Sequence, residues 1–430
     1  MADLSVKVAG LELKNPLMVG AGPNTKNVPT VLSCMKAGFG AVVVRSLHVQ
    51  SMDQKPQSGR EFWRVYGSGT NYRRTLYSFQ STGAPALRVN PKVAPGHGGA
   101  APAPTLEQWT EEVHKMTRAA RDYDCRIIAS NGWCGTNLST KEVWQAEARA
   151  MTEAGVDAIQ LHTGPSPATE PGRFLMHNPA KYLEMPIKAT KEVTDLPVFA
   201  KIPVDCCDPV AMSACAEAAG ADGVVPVTRW LSVPIDVEDE KAPVWRGPGI
   251  GGPWSVPIMN GLIYRLRHAD QPLAYLFGGA SDDPLGTPPI SVPIVPSGGV
   301  RFGSDVIGYL MAGADAAETC AQVILEGPGM AGRVVQEMQT WMDRKGYARI
   351  SDFQGTLRLL EPSQRNEIPQ WVPVVDEELC TDCDICVRAC VDEAISLVDG
   401  TARIDLEYCE GCRTCFVVCP KGAITLTIPA

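Results

Sequence analysis

Two cysteine-rich segments near the end of this 430-residue chain repeat at an offset of 29 residues. The first runs Asp376-Glu-Glu-Leu-Cys380-Thr-Asp-Cys383-Asp-Ile-Cys386-Val-Arg-Ala-Cys390. The second runs Asp405-Leu-Glu-Tyr-Cys409-Glu-Gly-Cys412-Arg-Thr-Cys415-Phe-Val-Val-Cys419-Pro420. Each reads C-x2-C-x2-C-x3-C. The repeat continues in Ala394-Ile395-Ser-Leu397 and Ala423-Ile424-Thr-Leu426, short apolar runs able to pair as strands. Eight of the fifteen cysteines fall in these segments, and the other seven are scattered without metal-ligand spacing. In a reducing compartment such a distribution points to metal ligation rather than disulfides.

This spacing is that of bacterial two-cluster ferredoxins. Three thiolates two residues apart wrap three corners of one cubane, and the fourth, a helical turn later, points to the other cluster. Cys380, Cys383, Cys386 and Cys419 are therefore expected to hold one [4Fe–4S] cluster, and Cys409, Cys412, Cys415 and Cys390 the other. A zinc site would need only four cysteines. Val391 follows Cys390 where Pro420 follows Cys419, a difference that touches the chain exit and not ligation. Residues 374–430 carry eleven acidic and four basic residues, so most of the chain's net charge of −9 sits there. That argues against nucleic acid as a partner. An acidic electron-transfer module can steer toward a basic patch on a redox partner, or the acid can simply keep the module soluble.

Residues 1–345 alternate short apolar runs with helical patterns, the signature of βα units. Eight strands are expected, at Leu17–Ala21, Ala41–Arg45, Arg126–Ser130, Asp157–Leu161, Pro197–Lys201, Asp222–Val227, Val292–Ser297 and Asp315–Thr319. Helices end in Ala-Gly before Asp157, Asp222 and Asp315, where glycine supplies the C-cap. The expected fold is α/β, a (β/α)8 barrel over 1–345, a linker over 346–373 and a small α+β module over 374–430. A doubly wound open sheet is the competing architecture, but Gly20-Ala21-Gly22-Pro23 does not supply its GxGxxG turn. A barrel places its active site at the C-terminal strand ends. Those ends carry Arg45-Ser46, Ser130-Asn131, His162-Thr163, Lys201, Thr228-Arg229 and Ser297-Gly298-Gly299. Gly298-Gly299 after strand seven and Cys320-Ala321 after strand eight suit a phosphate site. With clusters in the same chain, FMN is the phosphorylated cofactor expected, because a flavin exchanges single electrons as well as hydride.

In these segments the chain resembles the dihydroorotate dehydrogenase family and, within it, the catalytic half of dihydropyrimidine dehydrogenases. The matching segments are Asn15-Pro16, Gly20-Ala21-Gly22, Ala37-Gly-Phe-Gly-Ala-Val-Val-Val-Arg45, Ile127-Ile-Ala-Ser130, Phe199-Ala-Lys201, Gly220-Ala-Asp-Gly-Val224, Ser297-Gly-Gly-Val300 and Glu318-Thr-Cys320. The resemblance implies FMN on top of the barrel. Its phosphate would lie on Gly298, Gly299, Cys320 and Ala321, its ring beside Ala21 and Gly22, and its pyrimidine edge toward Lys201. The resemblance also implies an FAD- and NAD-binding partner subunit, since the chain carries no nicotinamide fingerprint of its own.

The substrate side departs from the family. Arg45 stands where the family usually has Lys, Thr228 where pyrimidine enzymes have Asn, and His162 where the family has Asn after strand four. The family's Cys or Ser before a proline would correspond to Ser166-Pro167, shifted by one residue. Ser166 can relay a proton if a neighbour accepts it, or it is an ordinary loop serine. His162 titrates near neutrality when unperturbed, though a lone histidine is more often structural. Cys134 lies near the mouth and can be a packed thiol. Uracil, thymine and dihydroorotate are therefore not the expected substrates.

Two long insertions, 46–104 after strand two and 228–257 after strand six, mix arginines with Trp and Tyr. Such a mixture suits a planar anionic ligand or a subunit interface, so an oligomer is expected. The expected activity is CH–CH oxidoreduction, with electrons passing between two [4Fe–4S] clusters and FMN and a hydride between FMN and an unsaturated, cyclic, anionic substrate. The alternative is an electron-transfer or scaffold subunit with an idle barrel. No apolar run is long enough for a membrane span, and the start lacks a signal-peptide core, so a cytoplasmic location is expected.

Overall fold

The computed structural model describes residues 2–47, 61–66, 75–81, 106–131, 140–162, 183–204, 208–227, 230–231, 249–268, 288–358 and 371–427. The chain divides into two compact units, Met1–Leu357 and Arg358–Ala430.

In the first unit the expected strands form one parallel sheet. Its members are strand one (Leu17–Val19), strand two (Ala41–Leu47), strand three (Arg126–Asn131), strand four (Ala158–His162), strand five (Val198–Lys201), strand six (Gly223–Val225) and strand eight (Ala317–Thr319). Strands one to six pair in parallel, each with the next, and strand eight pairs with strand one. Strand seven, expected at Val292–Ser297, contributes single bridges rather than a continuous ladder, Ile294 to Val224 and Ser297 to Glu318. Pro293 and Pro296 lack the amide protons a ladder needs, so their carbonyls accept from Val224 and Glu318 instead. The ring is thereby closed as a (β/α)8-type barrel.

Period-two alternation splits the strand residues between two apolar layers. Met18, Val43, Ile128, Ala158, Phe199, Val225, Val295 and Ala316 point inward and form one cluster with Val8 and Leu13. Those last two belong to a hairpin of Val6–Val8 and Leu11–Leu13, joined through Ala9 and Gly10, both at positive φ. The neighbours of the inward residues, among them Val19, Val42, Ile127, Ile159, Val198 and Ala317, pack outward against the helices.

The Gly-x-Asp sequences before strands four, six and eight do more than end helices. Gly155, Gly220 and Gly313 adopt positive φ, as the caps require. The aspartate two residues later then accepts a backbone N–H from the neighbouring strand. Asp157 takes that of Ile127 (2.7 Å), Asp222 that of Val198 (2.8 Å) and Asp315 that of Ile294 (2.8 Å). Lys191 and Arg267 pair with Asp222 and Asp315, both at 2.7 Å. These staples fix the register of adjacent strands at the end of the barrel opposite the expected site.

The first unit runs past 345, where the sequence reading began a linker. Ile350 and Phe353 are buried, and Gly355 and Leu357 donate backbone hydrogen bonds to Leu310 and Met311. The two long insertions also carry structure. Glu61–Tyr66 pairs with Thr75–Ser81, which pairs across the insertions with Gly249–Gly251, itself paired with Trp230–Leu231. One four-stranded antiparallel sheet is thus built jointly from both.

In the second unit the 29-residue repeat is visible in the backbone. Helices Ile385–Ala389 and Thr414–Val418 are equivalent. So are three left-handed positions, Asp382 and Gly411, Asp384 and Arg413, and Glu393 and Gly422. Val372–Val375 pairs antiparallel with Ile424–Thr427, and Ile395–Val398 with Thr401–Ile404. Its buried core is small, Cys386, Ile395, Ala402, Cys415 and Ile424.

Removing one staple tests the register argument. Asp157→Ala leaves the Ile127 amide without its carboxylate, and a loss of about 1–3 kcal/mol is expected. Chemical denaturation of variant and parent measures it, and an unchanged midpoint would show that the staple contributes nothing.

Candidate active site and cluster-binding module

Continuing the inward parity past the apolar layer reaches a polar one at the C-terminal strand ends. Val43 leads to Arg45, Ile128 to Ser130, Ala158 to Gln160 and His162, Phe199 to Lys201, and Ala316 to Glu318 and Cys320. Ser130 pairs in register with Gln160, and His162 with Lys201, so these side chains share the inner face.

Three of them form a buried network. Lys201 Nζ donates to Glu318 Oε2 at 2.7 Å and lies 3.4 Å from Gln160 Oε1, while Gln160 Nε2 donates to Glu318 Oε1. The side chains of Lys201 and Glu318 are 8% and 0% exposed, so solvent screening of this ion pair is slight. A Cβ at Gly20 would come within 2.9 Å of Glu318 Oε2, so strand one must end in glycine to admit the carboxylate. Similarly, a Cβ at Gly22 would lie 2.5 Å from Cys320 Sγ.

Arg45 is half-buried, and burial lowers its guanidinium from its ordinary value. No acidic side chain among the described residues pairs with it. Burial, opposed by Lys201 and reinforced by Glu318, pushes the Cys320 thiol up to about 11, and burial pushes Cys34 and Cys125 up to about 12. None of the three is a thiolate nucleophile near neutrality.

After strand seven, Gly298 and Gly299 both adopt positive φ. The Gly298 amide is engaged in closing the barrel, donating to the Glu318 carbonyl at 2.8 Å. It is therefore not a free donor for a phosphate. The Gly299 and Val300 amides have no acceptor among the described residues although both residues are buried. Tyr309 Oη donates to the Gly298 carbonyl at 3.0 Å, and a Cβ on Gly299 would meet Tyr309, Ser255 and Val256 at 2.8–2.9 Å. A Cβ on Gly298 would meet nothing within 4 Å. Two unpaired amides beside open space fit an anionic oxygen acceptor such as that of a phosphate.

At the end of strand three, Asn131 Nδ2 donates to Glu147 Oε2 at 3.1 Å, and Asn131 Oδ1 is buried without a partner among the described residues. Burial dominates at Glu147 and raises its carboxyl from 4.5 to about 7.

The polar layer brings together Arg45, His162, Lys201 and Cys320 among the residues expected from sequence, with Gly22, Gly298 and Gly299 at the neighbouring turns. Ala21 and Ala321 lie at the adjoining ends of strands one and eight. Ser166, Thr228, Cys134 and Arg229 lie outside the described residues. Gln160 and Glu318 were missed as site residues. Their signal was a polar residue at the inward parity of an otherwise apolar strand, as in Ala316-Ala317-Glu318.

In the second unit, Cys380, Cys383, Cys386 and Cys419 line one cavity with Val375, Leu397, Pro420 and Ile424. This is the crosswise set expected from spacing. Cys409 and Cys412 neighbour Cys415, and Cys390 packs on the same small core. Among the described residues no three ligands converge as a single metal ion would require.

Residues 379–423 match the 4Fe-4S dicluster domain family. Most of the chain is similar to catalytic subunits of dihydroorotate dehydrogenase B (NAD(+)). That of Thermoplasma acidophilum is 24% identical over 83% of this chain and 99% of its own length. That of Methanocaldococcus jannaschii is 24% identical over 79% and 93%, and that of Anoxybacillus flavithermus 27% identical over 54% and 67%. The Thermoplasma relative is matched almost end to end while part of this chain remains, so this chain carries sequence that relative lacks.

Two outcomes test the site. Cys419→Ser should remove about half the iron, the cluster of Cys380, Cys383 and Cys386, and leave the other spectroscopically intact. Loss of the Cys409 cluster instead would refute crosswise ligation. Glu147 titrates higher folded than unfolded, so its contribution to stability is present below pH 4.5 and is lost as pH rises through about 7. Glu147→Gln should abolish that component, of order 3 kcal/mol, when unfolding is compared at pH 5 and pH 8. The chain is a (β/α)8-type barrel joined to a dicluster [4Fe–4S] ferredoxin domain.

Proposed function

We propose that this chain is an iron–sulfur flavoprotein oxidoreductase that binds FMN at the barrel mouth and acts on a CH–CH bond of an unsaturated, cyclic, anionic substrate. The observation that carries the reading is the inward polar layer, in which Arg45 has no acidic partner among the described residues, in a chain that also folds a two-cluster module. When bound, the flavin supplies both hydride and single-electron transfer, which is the chemistry that joins a carbon substrate to clusters.

The residues present fit that cofactor. The Gly299 and Val300 amides, with Ala321 at the start of the helix Ala321–Glu326, would hold the phosphate. Ala21 and Gly22 would pass beside the ring, and Lys201 would meet its polar edge. Arg45 would orient the substrate's negative group, since a planar guanidinium binds carboxylate bidentately. His162, on the same inner face as Lys201, is the candidate for holding the transferred proton, with Ser166 the second candidate.

The similarity to subunits named for dihydroorotate and NAD(+) supports the reaction class. The departures at Arg45, Thr228 and His162 support a different substrate. The narrower likeness to dihydropyrimidine dehydrogenases rests on the two-cluster module joined to the barrel. The partner proposed is an FAD- and NAD-binding protein, with the dicluster module receiving its electrons; the dicluster cysteine set proposed for the second site is Cys409, Cys412, Cys415 and Cys390. No helix among the described residues is long and apolar enough to cross a membrane.

The purified chain should show flavin and cluster absorbance and stay oxidised when NADH alone is added. Rapid bleaching by NADH would refute the need for a partner. Absence of flavin after reconstitution with FMN would favour the alternative, an electron-transfer subunit with an idle barrel.

A further inference from the structure

We infer that Glu318 sets the reduction potential of the flavin, holding it low by neutralising Lys201, with Gln160 positioning the pair. The inference rests on the FMN reading above. It names a role for residues which that reading does not use.

A lysine beside the polar edge of a flavin favours the reduced, anionic form because it presents a full positive charge. Here that charge has a partner already. Glu318 Oε2 lies 2.7 Å from Lys201 Nζ, and the carboxylate side chain has no exposed surface. In a poorly screened interior such a pair acts on its surroundings as a dipole and not as a cation. The carboxylate is also built in from three sides. Gln160 donates to its second oxygen, Gly20 is reduced to a bare Cα beneath Oε2, and strand eight places it one layer above Ala316.

The arrangement makes Arg45 and Lys201 unequal. Both are cations at the inner strand ends, but only Arg45 lacks a carboxylate partner among the described residues. Positive charge is thereby kept for an anionic ligand and withdrawn from the cofactor's edge. The reduced flavin is correspondingly less stabilised and a stronger donor. Such a flavin can exchange electrons with low-potential clusters, whose range extends far below that of free nicotinamide chemistry.

Gln160 donates a hydrogen bond to Glu318 and both face Lys201, which makes the test reciprocal. Glu318→Gln keeps shape and removes the charge. The double variant Glu318→Gln with Gln160→Glu returns a carboxylate to Lys201 from the opposite strand. The full chain, loaded with FMN, is titrated spectroelectrochemically, reading the flavin bands apart from the clusters.

Glu318→Gln is expected to raise the flavin midpoint by at least a tenfold stabilisation of the reduced form, about 30 mV for a two-electron couple. The double variant is expected to return it toward the parent value. An unchanged or lowered midpoint in Glu318→Gln, or no return in the double variant, overturns the inference. Should Glu318→Gln fail to fold, Glu318→Asp, which draws the carboxylate back by one methylene, should give a smaller shift of the same sign, and an unchanged midpoint there overturns it equally. A parent protein that takes up no FMN overturns the flavin reading itself, a result distinct from bound flavin with an unmoved potential.

Discussion

Closure of the parallel sheet is the constraint on which the barrel depends. An open parallel sheet exposes two edges of unpaired amides and carbonyls, and a ring exposes none. Here the closing strand contains Pro293 and Pro296, so it cannot form an ordinary ladder. It closes through the proline carbonyls and through the amides of Val295 and Gly298. That solution has a chemical consequence at the mouth. The Gly298 amide is consumed by architecture, and the next two amides, Gly299 and Val300, have no acceptor among the described residues. The same bridge brings Glu318 into line with Ser297 and so into the interior facing Lys201.

Much of this was legible in the sequence. Seven of the strands stand within a few residues of their expected positions because alternating inward and outward apolar residues fix both type and face. The grouping of Cys419 with Cys380, Cys383 and Cys386 around one cavity was readable from spacing alone, since its helical turn carries it away from Cys415. What was not readable depends on pairing between distant segments. Nothing in Ala316-Ala317-Glu318 says that the carboxylate meets Lys201, because the contact requires the barrel's circumference to be known. The role of Asp157, Asp222 and Asp315 was likewise hidden. The glycines before them were legible as caps, but the amides that the aspartates accept belong to other strands.

Charge is distributed by function as well as by sign. The ferredoxin unit is acidic and its apolar core small, so its organisation rests on the thiolates and what they bind. The barrel places its ionisable groups in depth order. The stapling aspartates lie at one end, apolar side chains fill the middle, and Lys201, Glu318 and Arg45 occupy the other end. A barrel stabilised at one face and functional at the other can change its upper residues without disturbing strand register. The departures at Arg45 and His162 fall on that tolerant face.

The sheet shared by the two insertions carries a consequence for how such a protein can diversify. Thr75–Ser81 and Gly249–Gly251 are separated by nearly half the barrel in sequence, yet they are hydrogen-bonded neighbours. A length change in one shifts the strand on which the other must pair. The two insertions therefore behave as a single heritable unit, to be exchanged together between homologous barrels or not at all.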